Sequence, residues 1–294
     1  MASDDREATP SEYVLGHSDE ELHRLAFQAA LIEPITRRLL AEAGVEAGMR
    51  VLDVGTGRGD VAMLVAELVG ESGAVVGVDR APAAIAVAQQ RASDLPNVSF
   101  CVGDLAEIAF ASPFDAVVGR YVLQFQPDPA ELLRLVASRL RPGGIVAFHE
   151  LDWGGHRSVP PVPSWDRCCQ LVMYAIAAGG ANLDTGSRLP SLFAAAGLPA
   201  PSLGMTTFVG AGVNSHDVLE RMANLVRSLR PRIEQERLAD PGEIDALMHR
   251  LPDDVAAHAS FIAAASEVTA WSRLTKPHRA SITARDGAAA DMRG

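Results

Sequence analysis

The sequence predicts an α/β protein built on a mostly parallel sheet with helices on both faces. Three observations carry that expectation. Five short apolar runs, "MRVLDVG" (49–55), "AVVGVD" (74–79), "VSFCVGD" (98–104), "FDAVVG" (114–119) and "GIVAFHE" (144–150), alternate with helical patterns. Within them the apolar positions are near-continuous, as in strands buried on both faces. The first run ends in Gly55, Gly57 and Gly59 and passes at once into a helical pattern, the order of a strand–turn–helix unit.

Each element has a local reason. Before the first strand, Ser18 and Glu21 stand at capping-box spacing, and Leu22, Leu25, Ala26 and Ala29 share one face. A second helix is expected over 35–43, stopped by Gly44. After the fourth strand, Asp128, Pro129 and Glu131 open a helix whose Leu132, Leu133, Val136 and Leu140 share a face, and "RPGG" ends it. Past the fifth strand the alternation breaks. An insertion at 151–186 carries a helical stretch at 165–177, followed by a short helix ending at Gly197 and a strand at 203–209.

A second insertion, 210–262, reads as helical. Leu219, Met222, Val226 and Leu229 form a stripe suited to packing, and Asp240, Pro241 and Glu243 start another helix. "EVTAWSR" (267–273) reads as a last strand. The expectation is one domain over 1–294. Residues 13–48 would cover the cofactor side, 49–150 form the core and the two insertions cap a substrate. The 275–294 tail is too poor in apolar residues to fold.

Composition narrows the partners. The net charge of −11 opposes binding to nucleic acid, which needs a basic face. No run of about 18 uncharged apolar residues exists, so no membrane span is expected. "MASDDREATP" lacks the basic start and apolar core of a secretory signal, which points to the cytoplasm. Cys101, Cys168 and Cys169 have neither metal-ligand nor disulfide-framework spacing, so reduced thiols and no metal are expected.

The glycine turn supplies tight bending, open backbone and helix-opening amides for a ligand. Asp79 ends the second strand, where an acid can accept from both hydroxyls of a ribose. A dinucleotide fingerprint would place a third glycine where Asp60 stands, and an acid there would repel a pyrophosphate. Asp53 adds a further negative charge near the turn, which suits a cationic ligand without phosphates.

In order and spacing, "VLDVGTGRGD", "VVGVDRAP", "VSFCVGDLAEI", "FDAVVGRYVLQF" and "LRPGGIVAFHELDW" resemble the successive motifs of class I S-adenosylmethionine-dependent methyltransferases, over about residues 49–155. The resemblance implies a Rossmann-like, seven-stranded sheet whose last strand is antiparallel, with S-adenosylmethionine as cofactor. Gly55, Gly57 and Gly59 would then line its methionine and ribose side, Asp79 the ribose, and Asp104 with Leu105 the adenine. Arg120 would meet the methionine carboxylate or the substrate, and Tyr13 would close over the sulfonium end. Arg80 stands where the family often has an apolar residue, and its guanidinium could stack on the adenine instead.

For chemistry on the acceptor, the candidates are Glu150, His149 and Asp152 in "AFHELDW", on the rim where open α/β sheets bind ligands. Glu150 is favoured as the group that faces the acceptor. Nothing like a base-flipping segment follows the fourth strand, and the insertions carry Trp165, Tyr174, Phe208, Met222 and Met248. A small apolar or aromatic metabolite is therefore the expected acceptor, with a homodimer possible. The alternatives are a nicotinamide-dependent oxidoreductase, opposed by Asp60 and by Lys276 being the only lysine, and a protein of the same fold that binds the cofactor without methylating.

Overall fold

A computed structural model describes residues 19–274, with side chains from 31 onward. Its strands are β1 (Arg50–Val54), β2 (Ala74–Asp79), β3 (Val98–Val102), β4 (Phe114–Arg120), β5 (Leu140–Asp152), β6 (Arg157–Val159), β7 (Ser202–Ala211) and β8 (Phe261–Arg273). The helices are α1 (Asp19–Ala43), α2 (Asp60–Val69), α3 (Pro82–Arg91), α4 (Pro129–Ser138), α5 (Pro163–Ala178), α6 (Thr185–Ala195), α7 (His216–Gln235) and α8 (Pro241–Ala257).

Strands β3, β2, β1, β4 and β5 lie side by side and parallel, and β8 pairs antiparallel with β5. The strand order reverses between β1 and β4, the switch point outside whose carboxyl ends open α/β sheets form their ligand crevice. Eight strands stand where seven were expected, yet the sheet is only seven lanes wide. Ser266 of β8 pairs Asp152 of β5 on one edge and Thr207 of β7 on the other, while Ala263 pairs Arg157 of β6 and Val209 of β7. The short β6 therefore continues the lane of β5 along the same edge of β8.

Side-chain alternation along these strands divides the core in two. Val51, Val118, Ile145 and Ala147 pack under α1 and α2 with Leu39, Leu40 and Val65. On the opposite face Leu52, Val117 and Phe148 pack with Leu133 and Val136 of α4 and Phe193 of α6. A third cluster joins α5, α7 and α8 through Trp165, Leu171, Met222, Val226, Leu229 and Leu251. The stripe on α7 is thus packing inside a helical cap.

One sequence expectation changes in detail. The two N-terminal helices form one helix, α1, which runs through Pro34. Proline removes one backbone donor, but burial of Ile32, Ile35, Leu39 and Leu40 holds the helix across it. Within 151–186 the helix is α5, and α6, the short helix that follows it, packs on the sheet. Trp165 and Met222 are buried in the packing between these helices. The capping box at Ser18, Tyr13 and the 275–294 tail lie outside the described residues.

Candidate active site

The turn after β1 puts Gly55, Gly57 and Gly59 at φ of 64°, 53° and 83°, a region side chains rarely adopt. Their surroundings differ. A Cβ on Gly55 would strike Val122 at 2.7 Å, and one on Gly59 would press on Phe100 and Ala88 at 3.1 and 3.2 Å. Gly57 has nothing within 4 Å of that position. Gly55 and Gly59 are small because protein packs against them, whereas Gly57 borders open space.

Asp79 secures this turn. Its carboxylate accepts from the Gly57 N–H at 2.8 Å and, through the other oxygen, from the Ala81 N–H at 2.9 Å. Asp53, buried in β1, accepts from the Thr56 hydroxyl at 2.6 Å. Burial pushes its carboxyl up to about 7 against the opposing pull of Thr56 and Arg120. Beyond β3, Asp104 pairs with Arg80 at 2.6 Å and accepts from the Ala106 N–H. Arg80 is thereby tied to the loop after β3. The side chain of Leu105 is buried in the core, so a ligand could meet only its backbone.

The three residues proposed for chemistry on the acceptor are all held by the protein itself. Glu150 is fully buried and accepts from the backbone N–H groups of Val122 (2.9 Å), Leu123 (2.8 Å) and Gln124 (3.3 Å). It anchors the short 3-10 turn 123–125 and does not face an acceptor. The expectation fails because alternation sends its side chain to the α4–α6 face, under that turn. Asp152 likewise accepts from Gly154 N–H at 2.8 Å and Ser187 N–H at 3.1 Å, joining the strand end to the start of α6. It caps turns.

His149 points to the other face and lies within a buried chain of polar groups. Its Nδ1 is 3.0 Å from the Thr36 hydroxyl of α1, and its Nε2 is 3.0 Å from Glu267 of β8. Glu267 also accepts from the Tyr121 hydroxyl at 2.7 Å and from Arg221 of α7. Burial works against the Glu267 carboxylate, but the His149 hydrogen bond and the charge of Arg221 outweigh it and hold the group at about 2. An ionised carboxylate only accepts, so His149 must carry its proton on Nε2. Tyr121 sits at φ 58°, with its N–H bonded to the His149 carbonyl at 2.8 Å. Arg120 donates to Thr36 at 3.4 Å and lies 3.9 Å from Asp60, which links this chain of groups to the glycine turn.

Comparison with known proteins decides the family. A methyltransferase domain model matches residues 45–194, half of the chain. This protein is a member of the methyltransferase family. Over 118 residues it is 41% identical to aklanonic acid methyltransferase DauC of Streptomyces sp. strain C5, which covers 39% of this chain and 54% of that protein. A demethylmenaquinone methyltransferase of Staphylococcus aureus is 32% identical over 115 residues, 39% of this chain and 48% of that one. The chain thus spans about half the length of the curated relatives it matches. Among solved structures, a protein of Bacillus halodurans C-125 shares the fold at TM-score 0.55 and 18% identity, over 81% of this chain and 98% of that one.

In this methyltransferase, the sequence motifs drew attention to the glycine turn, Asp79 and the end of β5. They missed Thr36, Tyr121, Arg221 and Glu267. One signal was available for Glu267, the only charged residue in the mostly apolar stretch "FIAAASEVTAW". Among the described residues no His, Cys, Asp and Glu cluster could hold a metal, and no helix is long and apolar enough to cross a membrane.

Proposed function

We propose that this protein transfers the methyl group of S-adenosylmethionine to a small acceptor with an apolar or aromatic body. The observation that carries the reading is Gly57, which leaves its side-chain position open to a ligand beside the Asp79 carboxylate. The donor set fits this cofactor better than a dinucleotide, because Asp60 and Asp79 place carboxylates beside the turn where a pyrophosphate would lie. S-adenosylmethionine supplies an activated methyl group on a positive sulfur.

Around it, Gly55, Gly57 and Gly59 shape the cradle. Asp79 has lone pairs left to take the ribose hydroxyls after accepting from Gly57 and Ala81. Asp104 and the Leu105 backbone flank the adenine, with Arg80 over its edge. Arg120 pairs with the methionine carboxylate. Glu150, Asp152 and His149 act as positioning residues rather than bases, since their polar atoms are already engaged. Alignment of the acceptor then carries the rate, a contribution that reaches about 7–11 kcal/mol in well-oriented systems.

Relatives named for aklanonic acid, demethylmenaquinone and 2-phytyl-1,4-naphtoquinone support an acceptor of this kind. We read residues 1–294 as one domain with a cap over the acceptor. The free cysteines, of which Cys168 and Cys169 are buried, support a reducing, cytoplasmic setting. The outer strand β7 exposes Leu203, Met205 and Val209 and carries no charge, which supports a homodimer.

The test is transfer of label from methyl-labelled S-adenosylmethionine to a panel of quinones and aromatic acids, alongside calorimetry with S-adenosylhomocysteine. Binding and transfer are expected. Gly57→Val should abolish binding of S-adenosylhomocysteine. Binding without transfer would make the protein a non-methylating relative, and binding of NAD in its place would make it an oxidoreductase.

A further inference from the structure

Arg221 reaches from α7 of the cap into the polar chain at the sheet. Its side chain is 12% exposed. The guanidinium lies over the Phe208 ring, 4.5 Å from its centroid, and Nη2 donates to Glu267. Nη1 is buried and has no hydrogen-bond partner among the described residues. An orphaned donor on a buried cation is costly to keep, and a structural tie to Glu267 alone does not need it.

Its neighbours show where that donor sits. Glu267 also holds Tyr121, whose backbone leaves the carboxyl end of β4 in a left-handed conformation. Through His149 and Thr36 the same chain reaches Arg120 and Asp60 at the start of α2. The unpartnered edge of Arg221 therefore lies where α7 meets the carboxyl ends of the strands. Glu267 already offsets one positive charge there, and Asp60 offsets Arg91 at 2.7 Å.

Building on the methyl-transfer reading, we propose that Arg221 anchors the acceptor, its Nη1 edge taking an anionic oxygen of a carboxylate or enolate. A guanidinium donates in a fixed fork, so one arm stays on Glu267 while the other takes the acceptor oxygen. Phe208 beneath the guanidinium offers its ring to the apolar body of the same molecule. The specificity that follows is for acids over neutral isosteres, because a neutral amide leaves the cation without its counter-charge.

The experiment titrates 2-naphthoate and 2-naphthamide into the protein saturated with S-adenosylhomocysteine, by calorimetry. The acid is expected to bind at least tenfold more tightly than the amide. Arg221→Gln should bring the two within twofold while the affinity for S-adenosylhomocysteine stays as in the wild type. Should that variant not fold, Arg221→Gln with Glu267→Gln removes both charges of the pair and should show the same loss of preference. A wild-type ratio within twofold, a preference that survives in the variants, or no binding of either compound overturns the proposal. Failure of S-adenosylhomocysteine to bind the wild type would instead strike the methyl-transfer reading on which it rests.

Discussion

Glu150 and Glu267 lie on neighbouring strands, both fully buried, and their environments push them in opposite directions. Glu150 faces only backbone N–H groups, and burial raises it to about 7. Glu267 faces Arg221 and His149 and is held at about 2. The consequences for stability differ in sign. Between about 4.5 and 7 the unfolded chain has released the Glu150 proton while the folded one retains it, so this group makes stability fall as pH rises. The stability contributed by Glu267 is present above about 4.5 and is lost as pH falls toward 2. Glu150→Gln should therefore flatten the decline between pH 4.5 and 7 by up to about 1.4 kcal/mol per pH unit, measured by urea unfolding across that range. A slope identical to the wild type would remove the raised carboxyl from the account. At this scale the sequence was legible where function is written locally. Three glycines and two acids within one strand and turn announce themselves. Thr36, Tyr121, His149, Arg221 and Glu267 come from five separate segments, and no spacing rule joins them before the chain folds.

Helix starts were readable for the same reason, since a cap is a contact between near neighbours. Asp128 accepts from the Glu131 N–H and Asp240 from the Glu243 N–H, each at 2.9 Å, at the helix starts marked by Asp-Pro-x-Glu and Asp-Pro-Gly-Glu. Asp240→Ala should cost about 0.5–2 kcal/mol in thermal or urea unfolding without changing S-adenosylhomocysteine affinity, because it frees a donor only at the far end of the cap. Loss of cofactor affinity in that variant would show that α8 supports the crevice more directly. What the sequence hid at this scale was continuity. Pro34 resembles a boundary, yet α1 passes through it because its buried face lies on the sheet. The three-residue β6 is too short to give a pattern, and it exists because β8 extends past the end of β5 and offers an unpaired edge.

Across the whole molecule, the acidic balance has a direct expectation. With a net charge of −11, no binding to duplex DNA or tRNA should be seen in a mobility-shift assay at physiological salt. Salt-sensitive micromolar binding would reopen the nature of the acceptor. The pair between Arg221 and Glu267 also bears on how that acceptor gets in. It spans the seam between the cap and the sheet, with Glu267 fully buried. Moving α7 away would part these two charges, so the pair opposes an opening hinged on that helix. The bolt between Arg221 and Glu267 thus favours traffic into the crevice past α7 rather than beneath it, and loosening it should change how fast an acceptor enters as well as how tightly it is held.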